Sequence, residues 1–131
     1  MKNRMILTPF FLDRPLPGLE SLAAPDWLIN KPDLPPGDKQ LRMSVLHRKL
    51  ADYTANSILD GVRPVSIAGD CCTALGVLAG LQRAGIASFL IWFDAHGDFN
   101  TPQTTPSGFL GGMPLAMITG ICRDRSTIIP R

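Results

Sequence analysis

The sequence has little of what marks several common protein classes. It contains no unbroken apolar run near the roughly 18 residues that a bilayer-spanning helix requires, so no membrane segment is expected. It has almost no excess charge: 13 Lys and Arg face 11 Asp and Glu, for a net +2, and the basic residues are scattered. That distribution gives no support to nucleic-acid binding. Cysteine is scarce and poorly placed for a disulfide framework. Of the three, Cys71 and Cys72 are adjacent and Cys122 is left over, which points to a reducing, cytoplasmic setting. The apolar stretch near Met1 is short, is broken by Thr8 and Pro9, and runs into Asp13-Arg14, so a secretory leader is not expected. Internal repeats and low-complexity tracts are also lacking.

What is there suits a globular domain. The 131 residues are 45% apolar and 18% charged, unlike a disordered chain, and are enough to bury one core. Met5 to Leu12 reads as a first buried strand, although Pro9 sits inside it. Residues 13–38 hold six of the twelve prolines and read as one long loop. Asp38 is a natural cap for a helix reaching about Ile58, with Met43, Leu46, Leu50 and Tyr53 on one face. Pro64 to Ile67 is a short strand. Thr73 to Ala84 follows as a helix, with Leu75, Leu78 and Leu81 on one side and Gly85 as its stop. Ala87 to Phe93, apolar but for Ser88, reads as a strand covered on both faces. Pro114 opens a last short helix through Ile118. This alternation of strand and helix predicts an α/β fold with a parallel sheet.

Two polar motifs end two of the apolar runs. Asp94-Ala95-His96-Gly97-Asp98 follows Ile91-Trp92-Phe93. Residues two apart in a strand point the same way, so Asp94 and His96 can converge, with Asp98 where the chain leaves the sheet. Open α/β sheets bind ligands at the carboxyl ends of their strands. Two carboxylates and an imidazole suit Mn, Zn, Fe or Co. The plainer alternative is a turn, with His96 as an ordinary polar residue. Ala68-Gly69-Asp70-Cys71-Cys72 also lies between a strand and a helix. Cys71 there is either a ligand with thiolate character or a small core residue. A polar loop from Phe99 to Gly108 then leaves the presumed site, with amides and hydroxyls able to hold a carboxylate or amine.

Taken together, these residues resemble the arginase, agmatinase and formiminoglutamase family. Its members carry G-G-D-H-[ST] after one strand and D-A-H-x-D after the next. Arginases continue with N-T-P-x-T-T-x-S-G-N-x-H-G. Asp94 to Asp98 match the second motif, and Asn100-Thr101-Pro102, Thr104-Thr105 and Ser107-Gly108 match the third at the same spacing. The resemblance implies a three-layer α/β/α domain of the arginase/deacetylase-like type, of which residues 1–131 form about the first half. It also implies a binuclear manganese centre, an amidino or guanidino small-molecule substrate, and assembly as a homo-oligomer. On that basis Asp94 bridges the ions, His96 binds one, and Asp98 binds the other and holds the nucleophile, which makes Asp98 the catalytic residue. Asn100 and Ser107 correspond to substrate-binding positions.

Three departures qualify that picture. Cys71 stands at the first metal-binding His, so Zn, Fe or Co compete with Mn as the expected ion. Phe109 and Gly111 stand where arginases have Asn and His, which argues against arginine as substrate. The family's later D-x-D ligands have no counterpart in these residues. A catalytically inactive member with weak metal binding is therefore the alternative expectation. A calcineurin-like phosphoesterase also uses D-x-H, but its G-D motif follows that string, whereas Gly69-Asp70 precedes it.

Overall fold

The computed structural model describes residues 2–122; Met1 and Arg131, the bounds of the expected domain, lie outside them. The chain enters on β1 (Asn3–Thr8), where Ile6 and Leu7 are fully buried. Pro9 ends this strand, because a residue without an N–H cannot extend the ladder. The expected strand to Leu12 is thus divided. Beyond Pro9, β2 (Phe10–Phe11) folds back antiparallel on β3 (Arg14–Pro15), with Leu12 in the bend at φ +55°.

The proline-rich stretch is not the unbroken loop that its composition predicts. It contains a one-turn helix, α1 (Pro17–Glu20), and a short strand, β4 (Leu28–Ile29). β4 runs parallel to β1, with Leu28 opposite Ile6 and Ile29 opposite Leu7. Asn30 fixes it there. This fully buried side chain donates from Nδ2 to Thr8 Oγ1 and to the Leu46 carbonyl, both at 3.0 Å, while its own N–H reaches the Leu7 carbonyl at 2.7 Å. Buried amides need such partners, and no hydropathy pattern announces them.

The long helix forms as expected, as α2 (Lys39–Leu59), with the Asp38 carboxylate accepting the Leu41 N–H at 2.8 Å. Its inner face begins with Met43, Leu46 and Leu50 but continues through Thr54 and Ser57 rather than Tyr53. The reason lies in its neighbour, α3 (Ala74–Arg83), which crowds it closely. A Cβ at Gly80 would lie 2.5 Å from Thr54 Cβ, and one at Gly76 would lie 2.9 Å from the His47 carbonyl oxygen. Small residues therefore line the seam. Leu75 is buried, whereas Leu78 and Leu81, expected on the same face, are only half-buried. Gly85 ends α3 at φ +73°, as its position predicts.

β5 (Arg63–Ala68) joins the other side of β1 in a continuous six-residue parallel register, from Asn3 opposite Arg63 to Thr8 opposite Ala68. The sheet order is β4-β1-β5, all parallel and open, with α2 packed against β1 and β5. This is the expected α/β architecture. A last short helix, α4 (Pro114–Ile118), packs Ala116 and Met117 against Leu75, Met113 and Cys122. Among the described residues, no helix is long and apolar enough to cross a membrane.

One expected strand is absent. Residues 87–93 adopt no regular structure, and Phe89, Ile91 and Phe93 are 103%, 77% and 94% exposed. A strand exists only through ladder bonds to a neighbour. The segment has no partner strand among the described residues, where the sheet consists of β4, β1 and β5 alone. Apolar sequence without a neighbour leaves an exposed extended segment.

Candidate metal centre

The site is assembled where β5 ends. Gly69 follows it and comes so close to β2 that an added Cβ would lie 2.3 Å from the Phe10 carbonyl oxygen, so only glycine fits. Asp70 next holds the turn in place. Its Oδ1 accepts the Cys72 N–H at 2.9 Å and its Oδ2 accepts the Leu12 N–H at 2.7 Å, which ties the hairpin bend to the 3-10 turn at Cys71–Thr73. Burial raises the Asp70 pKa above the usual carboxylate value, and these backbone donors oppose the rise. Asp70 therefore serves as the cap that presents Cys71.

Cys71 is half-buried, and its Sγ donates to the Gly111 carbonyl at 3.2 Å. Its thiol is pushed up to about 11, first by burial and then by the nearby Asp98 charge. Desolvation and a like charge thus oppose the thiolate character expected from its place before a helix. Cys72 is fully buried and its pKa is raised further still, by burial and then by Asp70; its Sγ donates to the Leu110 carbonyl at 3.4 Å. It is a core residue.

Asp98 is the most constrained member of the second motif. It sits at φ +46°, a conformation that non-glycine residues seldom adopt. Its carbonyl accepts the Leu115 N–H at 2.9 Å, which pins it to the start of α4. The residue is 5% exposed, and its buried Oδ2 has no hydrogen-bond partner among the described residues. Buried carboxylate oxygens are rarely left so. Asp94 lies nearer the surface, and its pKa is lowered chiefly by the His96 N–H, which donates to its Oδ1 at 2.9 Å.

The structure brings three of the four expected ligands together. One donor atom each from Cys71, Asp94 and Asp98 lies within 4.8 Å of the other two. Donors on one tetrahedral ion lie about 3.3–3.8 Å apart, so side-chain movements of up to about 1 Å bring the three onto one ion. The unpartnered Oδ2 of Asp98 is what an ion would satisfy, and the residues fit a divalent metal. His96 stays outside: its side chain is 83% exposed, with Nδ1 3.4 Å from Asp94 Oδ1. Asn100 and Ser107 are engaged within their own loop. Thr104 Oγ1 donates to Asn100 Oδ1 at 3.3 Å, and Ser107 Oγ accepts the Phe109 N–H at 3.2 Å.

One feature of the site is absent from the motif reading. The Phe109 ring stacks on Phe11, with centroids 6.1 Å apart. It also fills the space above Gly111, where an added Cβ would lie 2.4 Å from its Cε1. Phe109 and Gly111 are therefore coupled: the large ring uses the room that the missing side chain leaves. The sequence signal was the paired departure from the arginase motif at these two positions.

The family model of the arginase family matches residues 23–129, most of the chain. The chain belongs to the arginase family. It is 40% identical over 88 residues to the arginase of Bacillus caldovelox, covering 64% of this chain and 29% of that one. It is 43% identical over 75 residues to the arginase of Bacillus subtilis, covering 57% of this chain and 25% of that one. Human mitochondrial arginase-2 is 32% identical over 88 residues, covering 67% and 25% respectively. A crystal structure of the Bacillus subtilis arginase matches the fold with a TM-score of 0.70 at 26% identity, over 97% of this chain and 50% of that one. A cold-adapted arginase from Glaciozyma antarctica matches with a TM-score of 0.63 at 28% identity, over 99% and 50%. The chain thus spans about half of these solved arginases, and its aligned part is between 25% and 29% of the curated relatives named here.

Proposed function

We propose that this arginase-family protein is a metal-dependent hydrolase acting on the C–N bond of a linear amidino or guanidino compound. The observation that carries this reading is the grouping of Cys71, Asp94 and Asp98, with a buried Asp98 oxygen that has no hydrogen-bond partner among the described residues. A divalent ion held by these three groups supplies Lewis acidity and lowers the pKa of water. The chain's own residues divide the remaining work. Asp98, fixed by its backbone contact to α4, orients the nucleophile and is the catalytic residue. Asp94, held ionised and facing solvent, meets the substrate side. His96 completes the ligand set by swinging inward from its place beside Asp94.

Asn100 and Ser107 lie on the loop that leaves the site, where their amide and hydroxyl contact the polar end of a substrate. Phe109 and Gly111 replace polar side chains with a ring in this neighbourhood, which supports a substrate other than arginine. Three free cysteines support a reducing, cytoplasmic setting.

A second reading, metal binding without turnover, is favoured by a specific observation. Only three donors converge among the described residues, and the His96 imidazole faces solvent. Elemental analysis combined with product release from a panel of guanidino and amidino compounds separates the two. Metal-dependent hydrolysis that Asp98→Asn abolishes supports the hydrolase. Bound metal with no product supports the second reading. A protein that binds no divalent ion overturns both.

A further inference from the structure

The substitution at position 71 changes what kind of ion the site suits. Cys71 sits on a turn whose backbone Asp70 fixes, which sets where its side chain starts. Its Sγ falls in the same group of donor atoms as Asp94 and Asp98. Its Sγ donates to a backbone carbonyl at 3.2 Å, a weak contact for a thiol, and lies beside the Asp98 carboxylate. The independent pointer to an ion is the Oδ2 of Asp98, on a residue 5% exposed and without a hydrogen-bond partner among the described residues.

Donor type then decides the ion. A set of carboxylates suits Mg, Ca or Mn, whereas a sulfur donor draws in softer ions. We propose that Cys71 binds metal directly, making a thiolate–dicarboxylate centre that takes one zinc-like ion, Zn(II) or Co(II), in preference to Mn(II). The inference rests on the metal-dependent reading of the same site. It adds the identity of the ion, which that reading leaves open.

The test uses the whole chain, with Co(II) as probe, because sulfur ligation gives Co(II) an intense near-ultraviolet charge-transfer band that oxygen ligation lacks. The expected result is such a band, saturating at one Co(II) per chain. It is lost in Cys71→Ser and retained in Cys72→Ser, which removes the neighbouring sulfur. Competition by Zn(II) should abolish the band at stoichiometric amounts, and Mn(II) should need at least about a hundredfold excess. A Cys71→His variant covers the case in which the serine variant fails to fold. It should bind Co(II) without the band and narrow the Zn(II)-over-Mn(II) preference by at least about tenfold. Co(II) bound without a sulfur band in the wild type, and lost in Asp98→Asn, overturns the inference while sparing the metal-dependent reading. Failure to bind Co(II), Zn(II) or Mn(II) overturns both.

Discussion

Residues 2–85 and residues 86–122 contrast in how they meet their backbone and apolar demands. In the first region, β1 is paired on both sides, α2 covers the sheet, and α3 closes on α2 through Gly76 and Gly80. Ile6, Leu7 and Leu50 reach 0% exposure there. In the second region, the apolar stretch 87–93 has no ladder partner among the described residues and is largely exposed. Order returns at Asp98 against α4, at Asn100, whose N–H donates to the Gly112 carbonyl at 3.0 Å, and where Met113, Ala116 and Met117 pack on Leu75. Apolar composition alone thus does not make a strand. A neighbour at the right distance does, because each strand's N–H and C=O groups must be answered from outside it.

Stability measurements can break or sharpen this contrast. The largest effect is expected for Leu50→Ala in the packed seam. Removing a fully buried leucine should cost about 2–5 kcal/mol, seen as a lower denaturant midpoint with an unchanged slope. An acid limb of intermediate size should come from His47, on α2 where its backbone faces Gly76 of α3. Burial lowers its pKa to about 4 from 6.5. A base whose folded pKa is depressed gives stability that is present above the unfolded value and lost as pH falls through the folded one. The protein should therefore lose on the order of 1–3 kcal/mol between pH 6.5 and 4 through this group. His47→Gln should flatten that limb in denaturant titrations run across the interval. The smallest effect is expected for Phe89→Ser in the open segment, within about 0.5 kcal/mol of wild type. A cost near that of Leu50→Ala would mean that residues 87–93 are packed in solution, and the contrast would fail.

The readable parts of the sequence were those set by local rules. Asp38 as a helix cap, Gly85 as a helix stop and Pro114 at the start of α4 each act within one turn of their own position. The motif spanning Asp94 to Asp98, with Asn100 and Ser107 beyond it, was legible because spacing along the chain carries it. The unread parts depended on partners distant in sequence. Asn30 gives no periodic signal, yet its bonds to Thr8 and Leu46 order the proline-rich stretch. The turn of α2 towards Thr54 and Ser57 was hidden for the same reason, since it follows from the glycines of α3.

By itself the sequence determined the family, the parallel α/β frame and the residue types available for a metal centre. Tertiary structure alone decided which of those residues meet. Cys71, Asp94 and Asp98 converge, while His96, two residues from both aspartates, remains in solvent. It also decided that the Phe109 ring occupies the room left by Gly111. Chemistry needs donor atoms within a bond length or two of one point. Sequence spacing sets that distance only within a single element, and here the donors come from two motifs joined by a helix and an irregular segment.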